Sequence, residues 1–311
     1  MKPGAALSGR RVLVTGAAGF IGTHLVSRLL DVGAHVHAVA RGDSSARQVT
    51  GVSWRTGDLA EIAVVREMLQ TVRPELIYHL ASHVAGSRAL DLVLPTFRSN
   101  LMSTVNLLTG ALEVGGARVI LSGSLEEPES VGIDAVPCSP YAAAKGAASA
   151  YGRMFAALYE LPVTILRLFM VYGPGQRDVT KLVPYVTRSL LRGEAPRLSS
   201  GVREVDWVFV EDAVEAFLLA GDRSGLEGKT IDVGSGRLTT VREVVEQLVD
   251  IVKPPVSPAF GVLPERSLER VVKADAARSA SLLGWRTQTS LREGLERTVE
   301  WYARAIGDGA T

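Results

Sequence analysis

Through the first half of the chain, short apolar runs alternate with longer stretches whose apolar residues recur every three or four positions. The runs at 12–15, 35–40, 52–55, 76–80, 118–121 and 163–168 are compact and mostly rich in Val, Ile and Leu, so they read as buried strands. The intervening stretches 21–32, 61–71, 93–113 and 141–160 follow helical spacing. Regular alternation of this kind predicts an α/β fold with a doubly wound parallel sheet. Right-handed crossovers place the loops that follow each strand along one edge, where ligands collect. After Tyr172 the pattern loosens and prolines become frequent. Shorter helices are expected at 181–192, 210–220, 240–252, 276–282 and 291–304, forming a smaller C-terminal lobe.

The strand ending at Thr15 runs into Gly16-Ala17-Ala18-Gly19-Phe20-Ile21-Gly22 and then a helix. A strand, a glycine-rich turn and a helix N-terminus make a phosphate site, because free N–H groups and the helix dipole meet a closely approaching anion. The spacing G-x-x-G-x-x-G therefore points to a dinucleotide near Gly16. Farther on, Tyr141 and Lys145 stand four apart at the start of a helix and share one face. An ammonium beside a phenol favours the phenolate, which suits the tyrosine to proton transfer. The hydroxyl of Ser124, after the strand at 118–121, is placed to hold the oxygen that exchanges that proton.

Composition narrows the class. The chain has 311 residues, 47% hydrophobic and 22% charged, enough for a sizeable core and unlike a disordered polypeptide. A net charge of +1 gives no general attraction to nucleic acid or anionic membrane. The single cysteine, Cys138, excludes an intrachain disulfide, and no Cys/His spacing suggests a metal. Neither a signal core nor a membrane-spanning apolar stretch is present, so a cytoplasmic protein is expected.

These motifs resemble those of the extended short-chain dehydrogenase/reductases, the NAD-dependent epimerase/dehydratase family that acts on sugar nucleotides. The likeness extends through residues 15–22, 57–59, 78–82, Asn100 with 104–108, Ser124, 139–145, 168–175, 206–212 and 283–285. It implies a Rossmann-type domain over 8–172, with segments near 205–233 returning to it, and a substrate-binding lobe over 173–204 and 234–306. It makes Tyr141 the acid/base, has Lys145 orient the nicotinamide ribose and has Ser124 bond the sugar oxygen. Around the cofactor it places Gly16, Gly19, Phe20, Ile21, Gly22, Arg41, Asp58, Leu59, Leu80, Ala81 and Ser82, with Tyr141 and Lys145. Around the substrate it places His83, Asn100, Met170, Arg177, Arg203 and Arg266. A homodimer built on the helices at 93–113 and 141–160 is also expected.

Two details bear on the chemistry. The second strand ends in Ala40-Arg41, where NAD-selective folds carry an acid that bonds the ribose hydroxyls. An arginine there suits a 2′-phosphate and favours NADP over NAD, while Asp43 is an alternative ribose ligand. After Ser124 come Leu125, Glu126 and Glu127. Glu126 falls where related 4,6-dehydratases keep a C5 base, but Leu125 replaces their polar neighbour. The segment is also similar to that of the NADPH-dependent GDP-4-keto-6-deoxymannose reductases. An NADPH-dependent 4-ketoreductase is therefore the first expectation. A 4-epimerase with retained cofactor, a 4,6-dehydratase and a non-catalytic NADP-binding regulator are the alternatives. Met170 and Val205 stand where the family commonly has a diphosphate-contacting asparagine and arginine, with Arg203 and Arg266 as substitutes.

Overall fold

Parallel strands covered on both faces need near-continuous apolar runs, and the runs at 12–15, 76–79, 118–121 and 163–166 largely obey this, whereas the edge strand Ser53–Thr56 does not. The structure is a computed structural model that describes residues 4–42, 49–84, 86–128 and 136–307. Its contacts divide into two units. The first comprises residues up to Leu168 together with Val214–Asp232 and Ala277–Trp285. It holds β1 (Arg11–Thr15), β2 (His35–Ala40), β3 (Ser53–Thr56), β4 (Leu76–His79), β5 (Arg118–Ser124), β6 (Val163–Leu168) and nearly all of β9 (Thr230–Val233). These form a seven-stranded sheet in the order β3-β2-β1-β4-β5-β6-β9, and the pairings from β3 through β6 are all parallel. This is the expected Rossmann-like architecture.

The strand order reverses at β1, which pairs with β2 on one side and β4 on the other. Register aligns Thr15 with Val39 and with His79, so the chain leaves β1 and β4 side by side. A crevice outside the C-terminal ends of such a pair is where open α/β sheets bind ligands. On one sheet face, Leu13, Ile77, Val119 and Ile165 pack against α2 (Ile62–Val72), α4 (Ser103–Val114) and α5 (Pro140–Tyr159). Leu69, Leu107 and Phe155 are among the helical partners. Each such buried side chain contributes about 1.5–3 kcal/mol relative to exposure.

The helices follow their periodicity to within a few residues, α1 spanning Phe20–Asp31. The stretch expected as one helix at 93–113 differs. It runs through a short α3 (Val93–Thr96) and a π-helical turn at Phe97–Met102 before α4 begins. The wide turn carries Asn100, which is buried and bonds His83 by both backbone groups. Strand β5 extends to Ser124 instead of stopping at 121.

The second unit comprises Phe169–Ala213, Val233–Ala276 and the segment from Arg286 on. It contains α6 (Leu182–Leu191), α8 (Val241–Val252) and α10 (Leu291–Gly307). A three-stranded sheet orders β10 (Leu238–Thr240), β8 (Glu204–Phe209) and β7 (Met170–Tyr172). Strand β8 was expected to return to the main fold. It pairs instead with β7 and β10, and Asp206 ties it to Ser235, Gly236 and Ala274 within this unit. Conversely α9 (Ala276–Leu283) falls mostly in the first unit, where Ser279 donates to the Asp232 carbonyl at 2.7 Å. Helix α7 (Val210–Asp222) crosses the division.

Candidate active site

The turn after β1 is built on glycines that no other residue replaces. Gly16 has φ +69°, and a Cβ there would stand 2.7 Å from the Ala81 nitrogen. A Cβ on Gly22 would stand 2.1 Å from the Gly16 carbonyl oxygen. Close packing of this turn on the start of α1 and on the strand β4 exit leaves backbone facing the crevice, as a pyrophosphate requires. Gly19, Phe20 and Ile21 complete the turn and open α1.

Beside it lies a groove with about 490 Å³ of empty volume, partly open to solvent. Gly16, Ala40, Arg41, Asp58, Leu59, Ala81, Ser82 and Ser99 are among its lining residues. Ser82 Oγ is buried there with no hydrogen-bond partner among the described residues. A glycine floor, an orphaned hydroxyl and a partly apolar groove fit a dinucleotide. Arg41 is exposed at the rim and donates to Ser99 Oγ at 2.8 Å. Asp58 accepts from the Ala60 nitrogen at 3.0 Å and from Arg98 at 3.0 Å. The first bond, aided by Arg98, holds its carboxyl below the usual range. Asp43, the alternative ribose ligand, lies outside the described residues.

At the end of β5 the second cluster assembles. Ser139 caps α5 by accepting from the Ala142 nitrogen at 3.0 Å, with Pro140 following it. This sets Tyr141 and Lys145 on one face of α5. Lys145 is 5% exposed, and its ammonium donates to Ser122 O at 2.8 Å and lies 6.0 Å from the Tyr141 ring centroid. Burial lowers Lys145 to about 8. Burial likewise raises the Tyr141 phenol, and its hydrogen bond with Ser124 is the main opposing influence. The expectation that Lys145 lowers Tyr141 directly is thus revised, because the ammonium is directed to Ser122. Ser82, near the phenol, also opposes the rise.

Glu126 does not point free into solvent. Its Oε2 accepts from Ser139 Oγ at 3.3 Å, and Cys138 Sγ lies 3.8 Å away. It thereby braces the cap of α5. Glu127 had no expected role. Its side chain is 8% exposed and accepts from the Ser124 nitrogen at 2.7 Å and Ser149 Oγ at 2.9 Å. A second overlooked group is His79, bonded to Thr15 Oγ1 at 2.8 Å and Thr104 Oγ1 at 3.0 Å. Thr104 already donates to Asn100 O, so it accepts from His79 Nε2–H, and Nδ1 accepts from Thr15. Burial, then the Lys145 charge, push His79 down to about 3, which keeps it neutral. The chain of bonds links the glycine turn to Asn100 and His83. Sequence offers only a weak signal for these residues: polar groups within otherwise apolar strand and helix segments.

The remaining substrate candidates lie in the second unit. Met170 is in β7 and Arg177 is exposed in the following loop. Arg203 and Arg266 share one carboxylate, Glu269, at 2.5 and 3.7 Å. Val205 is buried and offers no contact to an anion. Among the described residues no group of His, Cys, Asp and Glu is placed to hold a metal ion, and no helix is long and apolar enough to cross a membrane.

Comparison with known proteins gives consistent matches. The model of the NAD dependent epimerase/dehydratase family matches residues 12–234. A UDP-glucose 4-epimerase of Mycolicibacterium smegmatis is 34% identical, covering 94% of this chain and 98% of its own. The crystal structure of UDP-glucose 4-epimerase with UDP-glucose from Thermotoga maritima superposes with a TM-score of 0.88 at 28% identity, covering 95% and 99% of the two chains. That of the Thermus thermophilus UDP-glucose 4-epimerase complex with NAD gives a TM-score of 0.83 at 28% identity, covering 94% and 98%.

Proposed function

The chain belongs to the NAD dependent epimerase/dehydratase family of sugar-nucleotide enzymes, and from that premise we propose that it acts as a 4-epimerase on a nucleotide-linked hexose. The observation that carries this reading is the meeting of Ser124, Tyr141 and Lys145 at the end of β5. The similarity to UDP-glucose 4-epimerases across nearly the whole chain favours this reaction over the 4-ketoreductase first expected from sequence. Glu126 braces the α5 cap through Ser139, which supports no role for it as a C5 base.

In this reading the first unit holds the cofactor along Gly16, Gly19, Gly22, Asp58, Leu59 and Ala81. A nicotinamide dinucleotide bound there supplies the hydride acceptor and donor. Tyr141 takes the proton of the C4 hydroxyl as the ketone forms, and returns it when the alcohol is restored on either face. Ser124 Oγ holds that oxygen throughout. Lys145, held by Ser122, offers a donor to the cofactor ribose. Ser82, otherwise unpartnered, is a further donor to the bound ligand.

Denaturing the purified protein and identifying the released nucleotide tests the assignment. Tightly held, stoichiometric NAD⁺, with conversion of UDP-glucose to its C4 epimer without added cofactor, is the expected result. The specific observation favouring the second reading, an NADPH-dependent 4-ketoreductase, is Arg41 at the groove rim after Ala40. An empty site together with NADPH consumption on a nucleotide 4-keto-6-deoxyhexose would establish that reading instead. Because Met170 and Val205 replace the family's polar residues, UDP-, dTDP- and GDP-hexoses are all to be tried.

Arg41 also yields a direct cofactor test. Arg41→Ala should weaken NADP binding more than NAD binding by about 1.5–3 kcal/mol, the cost of a lost charge-assisted hydrogen bond. Calorimetric titration of the cofactor-stripped protein with each cofactor reads this difference. Equal losses for the two would show that Arg41 does not discriminate the 2′-phosphate.

We further assign a homodimer to the face formed by the 90–102 segment and α5. Leu90, Leu94 and Phe97 are 86%, 72% and 43% exposed, and Tyr151, Leu158 and Tyr159 are exposed on α5. Exposed apolar side chains on neighbouring elements suit an interface between copies of the chain. Light scattering at micromolar concentration should give a dimer, and Leu94→Glu a monomer. A monomeric parent protein would refute the interface.

A further inference from the structure

The two glutamates after Ser124 are sequence neighbours with different surroundings. Glu126 is partly exposed and braces the α5 cap, whereas Glu127 turns beneath Ser124 into the protein. Its backbone N–H donates to the Ser124 carbonyl at 3.1 Å, while its side chain accepts from the Ser124 N–H at 2.7 Å. Ser124 is therefore gripped through both of its backbone polar groups. The same carboxylate oxygen accepts from Ser149 Oγ at 2.9 Å. Residues 141, 145 and 149 are successive turns of one helix face, so Glu127 fastens the face that presents Tyr141 and Lys145 to the strand end that presents Ser124. Gly123 accommodates this arrangement, since a Cβ there would stand 2.7 Å from Glu127 Oε1.

We propose that Glu127 is a positioning residue of the active site, which fixes Ser124 against the Tyr141–Lys145 face of α5 and supplies the negative charge that faces the Lys145 ammonium. The inference rests on the function proposed above for its kinetic consequence, but not for its electrostatic one. The charged surroundings are few. Lys145 is faced by Glu127 from the loop after β5, by neutral His79 from β4, and by Tyr141 from its own helix. Glu127 is in turn faced by Lys145 and by Arg167 of β6, which pairs with Asp232 at 2.7 Å. Burial raises the Glu127 carboxyl, and its bonds to Ser124 and Ser149 oppose that rise. Its charge works against the burial that draws Lys145 down to about 8.

Glu127→Gln separates charge from shape, because the amide oxygen still accepts from Ser124 and Ser149. The full-length protein, labelled with ¹³C at lysine Cε, is titrated by NMR, with Lys145→Met identifying the Lys145 resonance. In Glu127→Gln the Lys145 midpoint should fall by about 1 pH unit, the direction that loss of an opposing charge requires. Ser149→Ala, which retains the charge, should leave the midpoint near the parental value. With UDP-glucose as probe, Glu127→Gln should lower kcat by about 10–100-fold with KM little changed, as for a displaced catalytic group. The alkaline limb of its kcat profile should move to lower pH with the lysine. An unmoved Lys145 midpoint, or a Ser149→Ala shift as large as that of Glu127→Gln, overturns the proposal. If Glu127→Gln does not fold, Glu127→Asp decides: a midpoint near the parental value supports the role of the charge, and one lower by about 1 unit refutes it. A parent protein that turns over no nucleotide hexose would count against the proposed function and leave the lysine titration fully readable.

Discussion

Tyr141→Phe should lower kcat by about 10²–10⁴-fold, the usual contribution of a positioned general acid–base, while cofactor affinity stays close to that of the parent. The substitution removes only the phenolic oxygen. The ring remains, as do the Ser139–Ala142 cap and the Lys145–Ser122 bond that set the start of α5. Fold and groove are thereby preserved, and the transferable proton is lost. Calorimetric titration of the cofactor-stripped protein with NAD and single-turnover kinetics on the accepted nucleotide hexose separate the two effects. Glu126→Gln is the natural comparator. It weakens only the brace to Ser139, so its effect on rate should be much smaller than that of Tyr141→Phe. Near-parental turnover in Tyr141→Phe would remove Tyr141 from the chemistry and with it the proposed reaction.

Gly22→Ala should abolish most dinucleotide affinity through a single methyl group. The added Cβ would stand 2.1 Å from Gly16 O and 2.9 Å from Ala17 Cα. Both obstacles are backbone, so relief requires the turn itself to move. Overpacking of this kind costs about 1–3 kcal/mol, corresponding to roughly one to two powers of ten in affinity. The melting temperature should fall as well, because Gly22 is buried where α1 leaves the turn. Gly307→Ala, at a position with no atom within 4 Å of the new Cβ, is the control and should alter neither quantity. Undiminished NAD and NADP binding in Gly22→Ala would mean that the phosphates do not lie on this turn.

What the sequence determined by itself was local or periodic. The strand at His35–Ala40 and the helix at Pro140–Tyr159 are legible because their side chains repeat with the period of the element they form. The glycines at 16, 19 and 22 mark a tight turn between strand and helix, where Gly16 and Gly22 leave no room for a Cβ, and Tyr141 and Lys145 share a face by helical geometry alone. Tertiary structure decided whatever depended on pairing across distance. Strand β8 joins a separate sheet, a pairing the sequence did not reveal because its partners, Met170–Tyr172 and Leu238–Thr240, are only three residues long. The π turn at Phe97–Met102 carries Asn100, which bonds His83, a contact that an inserted residue leaves invisible to periodicity. The roles of Glu126 and Glu127 were likewise undetermined in the chain, where they are two adjacent acids. Only folding brings one to Ser139 and the other beneath Ser124 to Ser149, and the physical difference between them is the burial and hydrogen bonding that those distant partners impose.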